Sequence, residues 1–160
     1  RQSDQTVHTP KCLVIVDDSA EWDRALRYAS RWAIRGRGGI VMLRIIETEG
    51  QNQQWLGVAD LMRAEAHDEA NAALDRGAAL AGAIGAMPLE RVIHEGDATE
   101  QILATIEADA DIAFLVLAAN SGAEGPGPLI TQVTNTVGTF PIPVLIVPGD
   151  LKDAEIDALA

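Results

Sequence analysis

Cysteine occurs once in the 160 residues, as Cys12, so no internal disulfide can form and the fold has to be held by its core. Cys12 opens the apolar run CLVIVDD and is expected to be a buried structural thiol rather than a redox group, because an apolar setting raises a thiol pKa. Cations are also scarce. Twelve Lys and Arg face 24 Asp and Glu, and the formal net charge of −12 repels nucleic acid and anionic lipid as partners. Long hydrophobic runs are missing: the longest are strand-sized, so none reads as a membrane span. The opening RQSDQTVHTP lacks the apolar stretch of a secretion signal and reads as a flexible polar arm over residues 1–10, which makes the cytoplasm the expected location. Histidine is the last shortage. His8, His67 and His94 fall in the arm, a predicted helix and a strand end, and no nucleophile–base pair can be assembled from them. The chain is therefore not expected to be an enzyme.

What is present is ordinary for one globular domain: 48 % apolar and 22 % charged residues, over a length that supports a stable core. Residues 12–16 and 40–46 (IVMLRII) are continuous apolar runs, as strands covered on both faces require. Between them Trp22, Ala25, Leu26, Ala29 and Ala33 recur at helical spacing, with Asp18 three residues before Glu21 as in a capping box. A long alanine-rich pattern follows from about 55 to 84, carrying Leu56, Ala59, Met62, Ala66, Ala70, Ala73, Leu80 and Ile84, with Gly77 and Gly82 weakening its second half. LERVIHEG reads as a strand. Asp97 and Glu100 form a second capping box before a helix whose apolar side is Ile102, Leu103 and Ile106. DIAFLVLAAN is a fourth strand, and Leu129, Val133 and Val137 predict a helix ending near Gly138. PVLIV is the fifth strand, and residues 150–160 are an acidic tail with a last helical turn. Five strands alternating with four helices, joined by right-handed crossovers, predict a doubly wound parallel sheet whose ligands bind beyond the carboxyl ends of the strands.

Several residues invite chemistry. Asp17 and Asp18 end the first strand, where a carboxylate pair can bind Mg²⁺, but the lysine that a phosphoacceptor receiver needs after its fifth strand is absent; helix capping by Asp18 and a pocket position for Asp17 are the stronger expectation. His94, Glu95 and Asp97 lack the further ligands of a metal shell, and Asp97 is better read as a cap. Trp22 and Trp32 can face the sheet, whereas Trp55 is equally suited to a core or to a partner. The segment SGAEGPGPLIT (residues 121–131), after the fourth strand, looks like a glycine-rich loop entering a helix, the common cradle for phosphate.

Three segments, in order and spacing, resemble the universal stress protein family over residues 11–149: VIVDDS, EGDATEQIL (like the family's EGDP-x-EEIL) and FPIPVLIVPG (like its PCPVLVVPG). The resemblance implies a Rossmann-like, adenine nucleotide alpha hydrolase-like three-layer α/β sandwich with a five-stranded parallel sheet in the order 3-2-1-4-5. It also implies a homodimer paired through the last strand, with Val144, Leu145, Ile146 and Val147 at the interface; the acidic tail is the rival cover for that edge. Many members bind ATP through G-x2-G-x9-G-[ST]. Here Gly122 and Gly125 match its first half, but nine residues on stand Asn135 and Thr136; counting back from Pro143 puts Ile130 and Thr131 at the glycine–hydroxyl pair and Leu117 or Ala118 at the first glycine. Neither register restores the motif. Ile130 would bring a branched side chain toward the phosphates, two prolines remove donors, and Glu124 adds charge with no Lys or Arg in the loop.

The expected nucleotide site comprises Asp17, Asp18, the backbone near Ile45, and Asn120, Ser121, Gly122, Gly125, Gly127 and Thr131, with ATP or AMP as ligand and Mg²⁺ accompanying ATP. The expected function is a dimeric binding and regulatory module of the stress response. The alternatives are a weak Mg²⁺-dependent ATP hydrolase using Asp17, Asp18 and Thr131, and a non-nucleotide adaptor acting through its dimer surface, Trp55 and the tail.

Overall fold

The computed structural model describes residues 8–48 and 56–160, with side chains from 59 onward in the second stretch. Trp55 and residues 1–7 of the arm lie outside them. Strands β1 (Lys11–Ile15), β2 (Gly39–Ile46), β3 (Leu89–Glu95), β4 (Ile112–Ala119) and β5 (Val144–Pro148) alternate with helices α1 (Trp22–Gly36), α2 (Leu56–Ile84), α3 (Ala98–Ala108) and α4 (Pro128–Thr134), and α5 (Asp153–Leu159) follows. The strands form one parallel sheet in the order β3-β2-β1-β4-β5. This is the predicted topology.

Period-two alternation along β1 divides the core. Cys12, Val14 and Val16 point into one buried layer with Leu26, Ala29, Met42 and Leu74, under α1 and α2. Leu13 and Ile15 point into the other with Leu43, Ile102, Leu115 and Val133, under α3 and α4. Cys12 has no exposed surface, and burial pushes its thiol up to about 12, so it is inert as expected. Trp22 packs against the first layer, and Trp32 meets Phe114 edge to face with ring centroids 4.8 Å apart. Gly77 does more than weaken its helix: a Cβ there would lie 2.9 Å from the Met42 sulfur, so its absence lets α2 pass close over β2. At the amino end, Pro10 accepts a hydrogen bond from the Gly39 amide, and His8 Nδ1 lies 2.7 Å from Asp111 Oδ1, which ties residues 8–10 to the body.

Four sequence expectations need correction. Asp18 does not cap α1; the cap position is Glu21, without a side-chain hydrogen bond, and the Asp18 carboxylate is held by Arg44. Leu103 is 38 % exposed, since α3 turns Ile102, Thr105 and Ile106 inward. Met62 is exposed as well, beside Leu61, because the first half of α2 extends past the core. Finally, α4 stops at Thr134, and exposed Val137 sits in a 3₁₀ turn (Val137–Thr139). There the hydroxyls of Thr134 and Thr136 donate back to the carbonyls of Ile130 and Val133, competing with continued helix. By contrast, Asp97 caps α3 as predicted, accepting from the Glu100 amide.

The acidic tail is a structured part of the domain. Helix α5 lies on α1 and inserts Ile156, wholly buried, into the layer under α1 and α2. That burial is worth about 2 kcal/mol. Asp157 accepts paired hydrogen bonds from Arg27 (2.9 and 2.8 Å) and Arg31 (3.0 and 3.1 Å). The Arg27 guanidinium, helped by Arg31, holds its carboxyl down to about 2. A depressed carboxylate contributes stability above its unfolded pKa of about 3.9 and loses it as pH falls through the folded value. Docking of α5 is therefore expected to weaken between about pH 4 and pH 2, read as loss of protection of the Ala160 amide, while Asp157→Asn is expected to flatten that response.

Candidate functional site

Just past the end of β1, buried Val16 donates its amide to the Leu43 carbonyl, and the chain leaves the sheet at Asp17. There the crevice between β1 and β4 opens. Asp17 Oδ1 accepts from the Ser19 amide (3.0 Å) and hydroxyl (2.5 Å), which shapes the turn into α1. Asp18 points the other way and forms a two-point pair with Arg44 of β2, each guanidinium nitrogen 3.0 Å from a carboxylate oxygen. Arg44 also donates to the Val16 carbonyl at 3.2 Å. Its side chain is 10 % exposed whereas that of Asp18 is 70 % exposed, so a nearly buried cation is neutralised by a carboxylate at the surface.

Around these residues lie three adjoining hollows. The first, about 390 Å³, has apolar walls from Ile15, Ile45, Ile46 and Leu129, and is rimmed by Asp17, Asp18, Glu47 and Glu69 against one cation, Arg44. The second, about 310 Å³, lies between Asp17, Ser19 and Trp22 on one side and Ala118, Gly127 and Ile130 on the other. Asp17, Asp18, Pro128 and Leu129 border both. The third, about 440 Å³, lies on the outer face of the loop, along Asn120, Glu124, Gly125, Thr131 and Gln132.

The glycine-rich loop is closed on itself. Asn120 donates its amide to the Pro126 carbonyl (3.0 Å) and accepts from the Gly122 amide (2.7 Å). Gly125 and Gly127 have φ of 93° and 107°, values that side chains rarely tolerate, and Gly127 caps α4 with Pro128 at its first helical position. The loop thus reaches Pro128 and Leu129 against Asp17, as the topology predicted. Two expectations change here. Ile130 is 5 % exposed and packs mainly into the layer under α3 and α4, while contributing to the wall of the second hollow. Thr131 donates its hydroxyl to the Gly127 carbonyl (3.0 Å) and lines only the outer hollow, apart from Asp17. Ser121 and Gly122 are exposed and border none of the three hollows.

Glu95, the last residue of β3, is held in place. Arg63 grips it at 2.6 and 2.7 Å and His67 Nε2 lies at 2.9 Å, holding its carboxyl below the usual range. Among the described residues no three His, Cys, Asp or Glu side chains come together as metal ligands. Asp17 is turned onto Ser19 and Asp18 onto Arg44, so this pair does not fit the Mg²⁺ role considered for it. Among the described residues no helix is long and apolar enough to cross a membrane.

The sequence reading missed Arg44. Its signal was visible, since it is the one charged residue inside IVMLRII and so had to find a partner. Glu47 and Glu69 carried no comparable signal, because only the approach of α2 to the end of β2 brings them together.

A sequence profile of the universal stress protein family matches residues 9–148. The chain belongs to this family. The fold agrees: universal stress protein UspA from Lactobacillus plantarum superposes with a TM-score of 0.74 at 19 % identity, covering 88 % of this chain and 98 % of that one. The universal stress protein from Archaeoglobus fulgidus in complex with dAMP gives 0.62 at 17 % identity, over 88 % and 98 %. A universal stress protein family protein from Arabidopsis thaliana with AMP bound gives 0.56 at 17 %, over 87 % and 91 %. No curated protein matches the chain significantly in sequence.

Against this family background the Asp18–Arg44 pair gives a direct prediction. Asp18→Ala strands a nearly buried guanidinium and is expected to cost about 1–3 kcal/mol in urea unfolding, whereas Asp18→Ala with Arg44→Met recovers most of that loss.

Proposed function

We propose that this universal stress protein is a cytoplasmic regulatory module of the stress response that binds an adenine mononucleotide, in preference to ATP, in the 390 Å³ cleft at the ends of β1 and β2. One observation carries the reading: the cleft has flat apolar walls of Ile15, Ile45, Ile46 and Leu129 beside Asp17, at the switch point of a doubly wound sheet. Walls of that kind suit a purine, and the backbone from Ile45 to Glu47 offers polar groups along its edge. The AMP and dAMP complexes of structural neighbours support the choice of ligand.

Charge argues for a monophosphate. Asp17, Asp18, Glu47 and Glu69 border the cleft and Glu124 the adjoining loop, against Arg44 alone, so each further phosphate meets repulsion that no added cation offsets. The occupied carboxylates of Asp17 and Asp18 favour binding over turnover, since neither is free to hold Mg²⁺ or activate water. A symmetric dimer through β5 is part of the proposal. Among the described residues that strand pairs with β4 alone and its outer edge has no strand against it, with Ile146 at 40 % exposure. Val147 is buried in the chain's own core, so only its backbone is available to a partner.

In calorimetric titration AMP is expected to bind more tightly than ADP and ADP more tightly than ATP, without a requirement for Mg²⁺, and Asp17→Ala is expected to weaken AMP by about tenfold. ATP binding more tightly than AMP, or no heat from any of the three, contradicts the reading. Sedimentation is expected to give a dimer that Ile146→Arg dissociates; a monomer at micromolar concentration removes the β5 proposal.

A further inference from the structure

Four of the twelve cationic side chains, Arg24, Arg27, Arg31 and Arg35, recur every three or four residues along one strip of α1. In a chain of net charge −12 such a strip needs an explanation, and each of its members is directed at α5 or its approach. Arg24 donates to the Leu151 carbonyl (2.9 Å) and to Asp153 (2.7 Å), and also pairs with its neighbour Asp23. Arg27 and Arg31 grip Asp157, and Arg35 donates to the Asp157 carbonyl at 2.6 Å. Ile156 fills an apolar socket beside them. The seat thus recognises a helix that presents a carboxylate, an aliphatic side chain three residues on and a carboxylate one residue further.

Part of this contact is open to solvent. Ile156 is the one wholly buried side chain of α5, and the Asp153 carboxylate is 59 % exposed, so its ion pairs are open to solvent and to salt. A seven-residue helix has no stability away from its support, and this one lies beyond the part that matches the family profile. Departure of α5 would expose four arginines accompanied only by Asp23, around an open apolar socket.

We propose that α5 is a displaceable strap and that the α1 face beneath it is a docking site for an acidic amphipathic helix of a partner protein with the same carboxylate, aliphatic, carboxylate spacing. The socket and the two-point grips on a single carboxylate select a helix rather than a nucleic acid, whose phosphates the other acidic side chains repel. This surface is separate from the nucleotide cleft and does not depend on that reading.

The test uses the full chain and a fluorescent peptide of residues 150–160 as the partner helix. Asp153→Asn with Asp157→Asn loosens the strap and is expected to bind the peptide about tenfold more tightly than the wild type, with affinity falling as salt rises; a peptide with Ile156→Ser is expected not to bind. Equal affinity of loosened and wild-type chains overturns the proposal, as does capture of a single-stranded RNA in place of the peptide. Hydrogen exchange on the wild type gives a readout that does not depend on the variant folding. The amides of Ile156 and Ala160, which bond within the strap, are expected to exchange well before those of β1 and β4; exchange only with the core would make α5 a fixed part of the fold and end the proposal.

Discussion

A parallel sheet exposes no strand face that water can comfortably wet, and this chain meets that demand through β1. Cys12, Val14 and Val16 fill one layer while Leu13 and Ile15 fill the other, so the central strand needs helices on both sides. From that single requirement the crossovers, the strand order and the position of the crevice follow. The chain must leave β1 at Asp17, between a β2 that runs one way through the sheet order and a β4 that runs the other. Everything proposed about a ligand depends on that opening.

Electrostatics shapes the rest. With two carboxylates for every cation, the cations serve as clasps between elements. Lys11 joins Glu90 of β3 to Asp109 beyond α3, and these carboxylates raise its pKa. Arg44 closes the end of β1 over β2, Arg63 ties α2 to Glu95, and the α1 arginines seat α5. Four carboxylates, Asp17, Asp18, Glu47 and Glu69, border the cleft, where a ligand rich in phosphate would meet repulsion and one with a single phosphate would meet less.

Apolar periodicity made the sheet and its helices legible, because burial on both faces leaves runs such as CLVIV and DIAFLVLAAN that nothing else explains. Local capping was only half legible. Asp97 had no competitor and capped α3, whereas Asp18 met Arg44, a partner 26 positions away that short-range rules ignore. Ile130 was half legible for a related reason: its position in a familiar motif placed it at the crevice, which it borders, while its aliphatic side chain is largely taken up by the core. The tail read as an acidic run with a last helical turn, and its seat was not legible because the residues that neutralise it lie on α1. In each case the missing information was a contact distant in sequence.

We propose a mononucleotide in the cleft between the ends of β1 and β2 and the start of α4. Chemical-shift mapping of the labelled chain with AMP tests it most directly. The largest shifts are expected on the amides of Asp17, Asp18, Ile45, Ile46 and Leu129, with the outer face of the loop at Glu124 and Thr131 little affected. Shifts centred on Glu124 and Thr131, or spread weakly over the α1 face with Asp17 and Ile45 unmoved, would contradict it.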